Sequence, residues 1–403
     1  MWDFRHSRQK LEFVQNSKGL LHKGKEAFNG RPFRVRSERG DVTVLPYDMA
    51  SKIRNEDSLS FDLAVYDIKD CLLQIIARIS SRVFLGSEIC RDDKWLKITT
   101  EYSVDLFTAA KELGIWPRPL RRIVHWFLPS VQKLRTQIKN AHEIIVPLVH
   151  KRRAMRAAAA SSGKPEPRFN DAIDWFEEFF NGKPYDPVGL QINLSVGAIH
   201  TTTDLLYWTM VCIADHPEYF DLLREEIIRV LSSEGWRKTS LYNLKLLDSV
   251  IKESQRLKPT SIANMRRVAE KNIDLPDGVH IRKGEKLVVS LTDLFERPRE
   301  FDGHRWIRLR DIPGKEHVAH LVAVSREHIG FGLGEHACPG RFFAANELKI
   351  VFCHLLLKFD WEFVPGARPK VLANGFSLTL DPRAKLRMRR RTPELDLDSL
   401  AMD

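Results

Sequence analysis

The chain has 403 residues, 43% hydrophobic and 29% charged, with a formal net charge of +11. That balance is enough for one large globular unit or two to three ordinary ones, and it excludes a disordered or fibrous chain. The basic excess fits a soluble protein with a basic face, an acidic protein partner or an anionic membrane surface; nucleic acid is set aside, because no recognisable binding module accompanies the charge.

Residues 1–29 read as a polar amphipathic helix with Phe4, Leu11, Phe13, Leu20 and Leu21 as its apolar points. No run there approaches the ~20 apolar residues of a membrane span. No secretory signal is visible either, so no transmembrane anchor is expected. A hairpin follows: Pro32 to Arg36 and Asp41 to Pro46 alternate on either side of a Glu38-Arg39-Gly40 turn. From about Tyr66 the period becomes helical, with Leu72, Leu73, Ile75, Ile76, Ile79 and Val83 in one broad stripe. A further helix is predicted from Val131 to Met155, and the small, polar, proline-containing stretch from Ala157 to Asn170 reads as an exposed connector. Asp171 to Phe180 is a short amphipathic helix.

Residues 188–214 are long and mostly apolar, but Gly197, His200, three threonines at 201–203 and Asp204 interrupt them. That pattern suits a helix buried in protein and passing a functional cavity, rather than one facing lipid. His216-Pro217-Glu218 opens the next helix, with proline in the first turn and an acid matching the helix dipole. Another helix covers Tyr242 to Leu257 and stops before Pro259. Residues 262–290 read as short strands with turns at Pro276-Asp277-Gly278 and Lys283-Gly284. An irregular stretch runs to about Gly330, and a long helix from Arg341 to Phe359 leads into a β-rich, basic end and a C-terminal tail over 391–403. There is no internal repeat. The fold class is mainly α with minor β-sheets, in a single domain.

The five cysteines, Cys71, Cys90, Cys212, Cys338 and Cys353, are odd in number, widely spaced and without a CxxC pair. They suggest neither a disulfide framework nor a zinc site. Cys338 is different because of its surroundings, Phe331-Gly-Leu-Gly-Glu-His-Ala-Cys-Pro-Gly340. It stands just before a helix N-terminus, where negative charge is favoured and a thiolate is stabilised. Gly332, Gly334 and Gly340 let the backbone turn tightly and approach a flat cofactor.

This segment closely resembles the haem-binding loop of the cytochrome P450 family, in which phenylalanine, glycine, cysteine and glycine recur at this spacing. The resemblance makes Cys338 the axial ligand of haem iron, where a thiolate pushes electron density onto the metal and favours O–O cleavage. It places His336 where a basic residue reaches a haem propionate, Phe331 beside the thiolate, and Gly334 and Gly340 in the loop itself.

Three other constellations fit the same resemblance. Glu253 and Arg256 share a helix face and match the family's Glu-x-x-Arg pair; Arg305, in FDGHRW (301–306), matches the arginine that joins it in a structural charge cluster. The stretch from Gly197 to Thr202 resembles the oxygen-binding segment, with Thr201 as the proton-delivering hydroxyl. His200 departs from the pattern, standing where an acid is usual, and a histidine can also relay protons near neutral pH. Arg267, by its distance from Leu-Pro-Asp-Gly (275–278), matches an arginine that binds a propionate. Phe376 and the Ile262-Ala263 region fall where the family lines its substrate pocket.

The segment HPEYFDLLREEI (216–227) also follows the family, and ARISSRVFLGSEICRDDKWL (77–96) resembles fungal members active on terpenoid and indole-derived scaffolds. The resemblance implies haem b as cofactor and NADPH-derived electrons through a flavoprotein reductase. It also implies O2 and an apolar small molecule as substrates, and a place at the endoplasmic reticulum surface or, without an anchor, in the cytoplasm.

The chain departs from the family between Phe61 and Ile75, where a substrate-covering loop and a helix with a Trp-x-x-x-Arg contact to a propionate are missing. It is also short between Asp293 and Arg297. Either the gene model has lost segments, or this is a shortened homologue with altered haem support. The expected fold is therefore partly truncated in its N-terminal third. Two further readings stay open: a degenerate haem-binding protein with little turnover, and haem-thiolate isomerase or dehydratase chemistry needing no reductase.

Overall fold

The computed structural model describes residues 16, 19–37, 40–46, 49, 68–275, 278–290, 300–364, 368–374, 376–380 and 386–401. It divides into two compact units, 1–65 and 66–403. In the first, a helical stretch over 19–27 precedes the expected hairpin. Strands β1 (Phe33–Ser37) and β2 (Gly40–Val44) pair antiparallel from Phe33 opposite Val44 to Ser37 opposite Gly40. Phe28 stacks on Phe33 with ring centroids 5.6 Å apart. The apolar points Phe4, Leu11 and Phe13, and the turn residues Glu38 and Arg39, lie outside the described residues.

The second unit is a helical body. Its helices are α1 (Ile68–Leu85), α2 (Asp93–Ile115), α3 (Arg118–Val124), α4 (Pro129–Ser161), α5 (Ala172–Phe180), α6 (Pro187–Asp215), α7 (Glu218–Glu234), α8 (Lys238–Asn243), α9 (Lys245–Leu257), α10 (Arg305–Arg310) and α11 (Arg341–Lys358). The strands form two-stranded antiparallel pairs: β3 (Ala263–Val268) with β6 (Lys286–Ser290), β4 (Ile273–Asp274) with β5 (His280–Ile281), β7 (Phe359–Phe363) with β10 (Leu386–Arg390), and β8 (Val371–Asn374) with β9 (Ser377–Leu380).

Helix α6 is the centre of this body, packing against α1, α2, α4, α9 and α11. Leu206, Met210, Ile213, Val250, Ile251, Phe352 and Leu356 are fully buried around it. Burying each such side chain contributes roughly 1.5–3 kcal/mol. A second cluster, including Leu85, Trp95, Ile145, Ile173 and Val188, joins α1, α2, α4, α5 and α6.

Several boundaries differ from the sequence reading, each for a physical reason. Helix α4 runs to Ser161 rather than Met155, because Ala157 to Ala160 are strong helix formers; the connector begins at Ser162. The helix expected from Tyr242 is two helices, α8 and α9, that meet at Leu244. The second start is possible because the Glu226 carboxylate, from α7, accepts from Leu246 N at 2.8 Å and Leu247 N at 3.0 Å. It satisfies N–H groups that a new helix leaves free. Helices α2 and α3 continue the helical pattern that begins near Tyr66, with boundaries the sequence did not mark. The irregular region before Gly330 contains α10 and a 3₁₀ turn over Glu316–Val318. The C-terminal tail is held in place: Leu397 is buried and its carbonyl accepts from Trp236 Nε1 at 2.9 Å.

Buried charge ties the body together. Arg152, on α4, donates to the Asp171 carboxylate at the start of α5 at 2.7 Å, both side chains being buried. Gly86 stands at φ +79°, and a Cβ there would lie 2.4 Å from Asp171 Oδ2, so only glycine fits the turn.

Glu347 on α11 accepts from Ser80 Oγ of α1 at 2.9 Å. Burial pushes its carboxyl up from 4.5 to about 8. In the unfolded chain Glu347 ionises at its ordinary value, so its contribution to stability is complete below about pH 4.5 and is lost as pH rises through about 8. Glu347→Gln is therefore expected to raise the melting temperature at pH 8 and leave it nearly unchanged at pH 4.5. Equal shifts at both pH values in thermal scans would contradict a buried, protonated Glu347.

Candidate active site

The Cys338 loop is built by two short-range devices. Gly332 N donates to Ile329 O at 2.9 Å, and Cys338 N reaches back across the loop to Phe331 O at 2.8 Å. Gly332 and Gly334 stand at φ +80° and +75°, a conformation that glycine adopts without strain. A 3₁₀ turn over Gly334–His336 then delivers Cys338 two residues before Gly340, the N-cap of α11. Arg341 Nη1 donates to Cys338 O at 2.9 Å, a tether that the sequence reading did not single out. Cys338 is only partly buried. Cys212 and Cys353, by contrast, are buried, and burial pushes the Cys212 thiol up to about 12 and raises Cys353 as well. Phe331 is partly buried and packs against the main core.

On α6, which packs against α11, the polar interruptions of the apolar helix divide by face. Thr202 and Thr203 are buried, whereas Gly197 and Thr201 are exposed. A Cβ at Gly197 would meet nothing within 4 Å. Thr201 Oγ1 donates to Gly197 O at 2.7 Å, the back-bonded state of a helical threonine. Its lone pairs stay free to accept. His200 points elsewhere: Nε2 lies 2.8 Å from the Thr100 carbonyl on α2, which makes this nitrogen the donor. Burial lowers its pKa, so the ring is neutral at neutral pH. Thr201 and His200 therefore occupy adjacent positions without touching each other's side chains.

Between β3 and the Cys338 loop lies a cavity of about 250 Å³, lined among others by Ala263, Met265, Arg267, Gly332 and His336. The structure thus brings Arg267 and His336 to one space. Both are exposed, and Arg267 Nη1 donates to Arg266 O at 2.8 Å. A bulge between Asn264 and Arg267 interrupts β3, with Met265 at φ +54°. Nothing in a methionine foretells that conformation. Ile262 N donates to Phe376 O at 2.8 Å, and Ser261 bridges to Ser377, so the Ile262-Ala263 region and Phe376 are neighbours at the edge of this wall.

Behind the loop, Glu253 is fully buried and accepts from Arg256 Nη2 at 2.8 Å and Arg305 Nε at 3.0 Å. Asp302 N adds a third donor at 3.2 Å. The three residues thus form one cluster joining α9 to α10.

A family model described as Cytochrome P450 matches residues 48–388. The chain belongs to the cytochrome P450 family. Cytochrome P450 monooxygenase hepE of Aspergillus oryzae is 40% identical over 460 residues, covering 96% of this chain and 84% of hepE. Cytochrome P450 monooxygenase adrA of Penicillium rubens is 46% identical over 330 residues, covering 80% of this chain and 64% of adrA. Among solved structures, the retinoic acid bound cyanobacterial CYP120A1 superposes with a TM-score of 0.59 at 18% identity, over 80% of this chain and 69% of that one.

This P450 is an oxidoreductase of the monooxygenase class, with a mainly helical P450 fold, and haem is the family's cofactor. It is also shortened: an alignment of 460 positions on a chain of 403 residues leaves residues of hepE without a counterpart here. The residues present fit haem. A glycine and an exposed threonine leave room on α6, a Cβ at Gly340 would stand 4.0 Å from Cys338 Sγ with no other neighbour, and two basic side chains reach the adjoining cavity. The gap that begins after Phe61 falls partly, over 61–67, and the short meander of Asp293 to Arg297 wholly, outside the described residues. No helix among the described residues is long and apolar enough to cross a membrane.

Proposed function

We propose that this P450 inserts one oxygen atom of O2 into an apolar small molecule, with electrons from NADPH through a flavoprotein reductase. The observation that carries the reading is the partly exposed Cys338, placed ahead of α11 with the exposed Gly197–Thr201 face on the helix packed against it. Haem b held at Cys338 supplies the reductive activation of dioxygen.

The chain's own residues do the rest. The N-terminus of α11 favours the thiolate form of Cys338, and the Cys338 N–H bond to Phe331 O fixes the loop. Arg267 and His336 bind the propionates. The Thr201 hydroxyl, released from Gly197 O, holds a proton where oxygen binds, and His200, whose Nε2–H is held by Thr100 O, relays protons toward it by first accepting one at Nδ1 and then passing it on through water. Phe376 and the Ile262-Ala263 region line the substrate pocket. Glu253, Arg256 and Arg305 keep the wall behind the cysteine rigid.

The fungal relatives and the resemblance of residues 77–96 support a secondary metabolite, terpenoid or indole-derived, as substrate. The apolar tip formed by Ile115, Trp116, Ile123 and Phe127, exposed beside Arg118 and Arg122, suits an anionic membrane surface such as that of the endoplasmic reticulum. The whole chain acts as one domain.

The internal shortening favours a second reading, a haem-binding protein with little turnover. Reductase- and NADPH-dependent product formation separates the two. Thr201→Val keeps the side-chain shape and removes the hydroxyl. It is expected to leave haem binding intact and NADPH consumption running, with more of the reductant lost as peroxide. His200→Asp, run alongside, is expected to shift the pH profile of product formation. Unchanged product per NADPH in the valine variant would remove Thr201 from the proton path, and an unmoved pH profile would reduce His200 to packing.

A further inference from the structure

His328 lies three residues before Phe331 and is buried, with neither ring nitrogen bonded to any protein group. Burial, together with the charges of Lys252 and Arg256, holds its pKa well below the usual histidine range, so the ring is neutral. A neutral imidazole keeps one N–H donor and one lone pair. The Gln255 side-chain oxygen on α9 is buried without a protein partner as well. The two groups converge on Gly330. A Cβ at Gly330 would stand 2.6 Å from Gln255 Oε1 and 2.6 Å from His328 Cε1, the ring carbon between the two nitrogens. Those two atoms are thus no more than about 5 Å apart, within reach of a bridging water.

The Trp306 ring meets His328 edge-on at 5.4 Å, and Asn264 Nδ2 is already donating to Ile329 O at 2.9 Å. Buried polar groups with no protein partner are ordinarily held by ordered water.

We infer that His328 and Gln255 hold ordered water in a sealed site behind Gly330, and that this water braces the Cys338 loop against α9. The connection to the cysteine is short. His328 leads through Ile329, whose carbonyl receives Gly332 N, to Phe331, whose carbonyl receives Cys338 N. Gly330 and Gly332 also line the cavity that holds Arg267 and His336. A loop free to slide away from α9 moves the sulfur and the cavity wall together. His328 is in this sense a positioning residue. Its effect on the sulfur rests on the haem-thiolate reading above, whereas the water site itself does not.

The test compares His328→Phe, Gln255→Leu and the double variant in the full chain, by thermal unfolding with and without haem and by the reduced carbon-monoxide spectrum. His328→Phe keeps a flat ring and removes both nitrogens. A histidine that merely fills space, with its nitrogens unsatisfied, predicts that phenylalanine is neutral or stabilising. A water bridge predicts a melting temperature lower by about 1–4 °C, a similar loss for Gln255→Leu, and a double variant no worse than the poorer single one, because both remove the same bridge. In the haem-loaded protein the thiolate-type band gives way in part to the thiol-type band, and His328→Gln, which restores a donor and an acceptor, recovers much of it.

A phenylalanine variant at least as stable as the native chain, or singles whose losses add in full, would overturn the inference. If His328→Phe does not fold, Gln255→Leu decides alone by the same criterion. Expected shifts in the haem-free protein with no thiolate band in the native one would sink the haem reading and leave the water site standing. A band that forms normally beside additive losses would do the reverse.

Discussion

Replacing Cys338 with serine is expected to abolish the red-shifted absorption of the reduced carbon-monoxide complex altogether. That band requires a thiolate on iron, and a serine hydroxyl does not supply one. The structure makes the experiment clean. The cysteine side chain is partly exposed at the end of a loop whose shape depends on backbone bonds, from Cys338 N to Phe331 O and from Gly332 N to Ile329 O, that serine leaves in place. Among the other cysteines Cys90, Cys212 and Cys353 are buried, and burial raises the pKa of the last two, so neither is poised to substitute as a thiolate ligand. The serine variant should therefore fold like the native chain and lose only the ligand. A retained band at full haem content would show that another residue holds the iron.

The second large effect is on folding. Arg256→Ala leaves Glu253, whose side chain is fully buried, with Arg305 and the Asp302 amide as its remaining donors. Breaking a buried ion pair by removing one partner typically costs about 3–5 kcal/mol, because a charge stays behind without compensation. A domain's whole stability is about 5–15 kcal/mol. Arg305 moderates the loss and does not cancel it, since it contributes one nitrogen where Arg256 contributes two. The expected result is a sharp fall in soluble haem-loaded protein, measured as yield per cell mass and by thermal unfolding of what remains. Native yield with a native melting temperature would refute a structural role for the cluster.

Much of the architecture and of the site was legible in the sequence because it is written in local spacing. The alternation on either side of Gly40 gave the hairpin, and the polar interruptions of residues 188–214 gave a helix bearing an exposed Gly197–Thr201 face. Phe331 to Gly340 gave a loop ending on a helix N-terminus. Glu253, Arg256 and Arg305 meet as the resemblance implied, although 49 residues separate the last two.

What stayed hidden depends on distant partners. The break at Leu244 is held by Glu226 from another helix. The bulge that turns Arg267 toward the cavity rests on Met265 in a left-handed conformation that its residue type does not favour. His328 carries no pattern at all; its importance is visible only once the fold buries it beside Gln255. His200 illustrates the same limit in reverse. Its place beside Thr201 suggested a proton relay, and no spacing foretold that its Nε2 would bond to the Thr100 carbonyl, leaving the other nitrogen for that task.

The central claim is that this shortened chain still holds haem through Cys338. The direct measurement is the reduced carbon-monoxide spectrum and the haem-to-protein ratio of the chain after gel filtration, with haem supplied in excess during expression. A thiolate-type band at less than one haem per chain is the expected result, because the family resemblance leaves the stretch between Phe61 and Ile75 without its usual haem-contacting segment, and each lost charge-assisted contact to a propionate weakens binding by about 1.5–3 kcal/mol. Restoring that segment from the genomic DNA should raise the ratio. A chain that folds normally and yet shows no thiolate band, with haem in excess and the segment restored, would contradict the account.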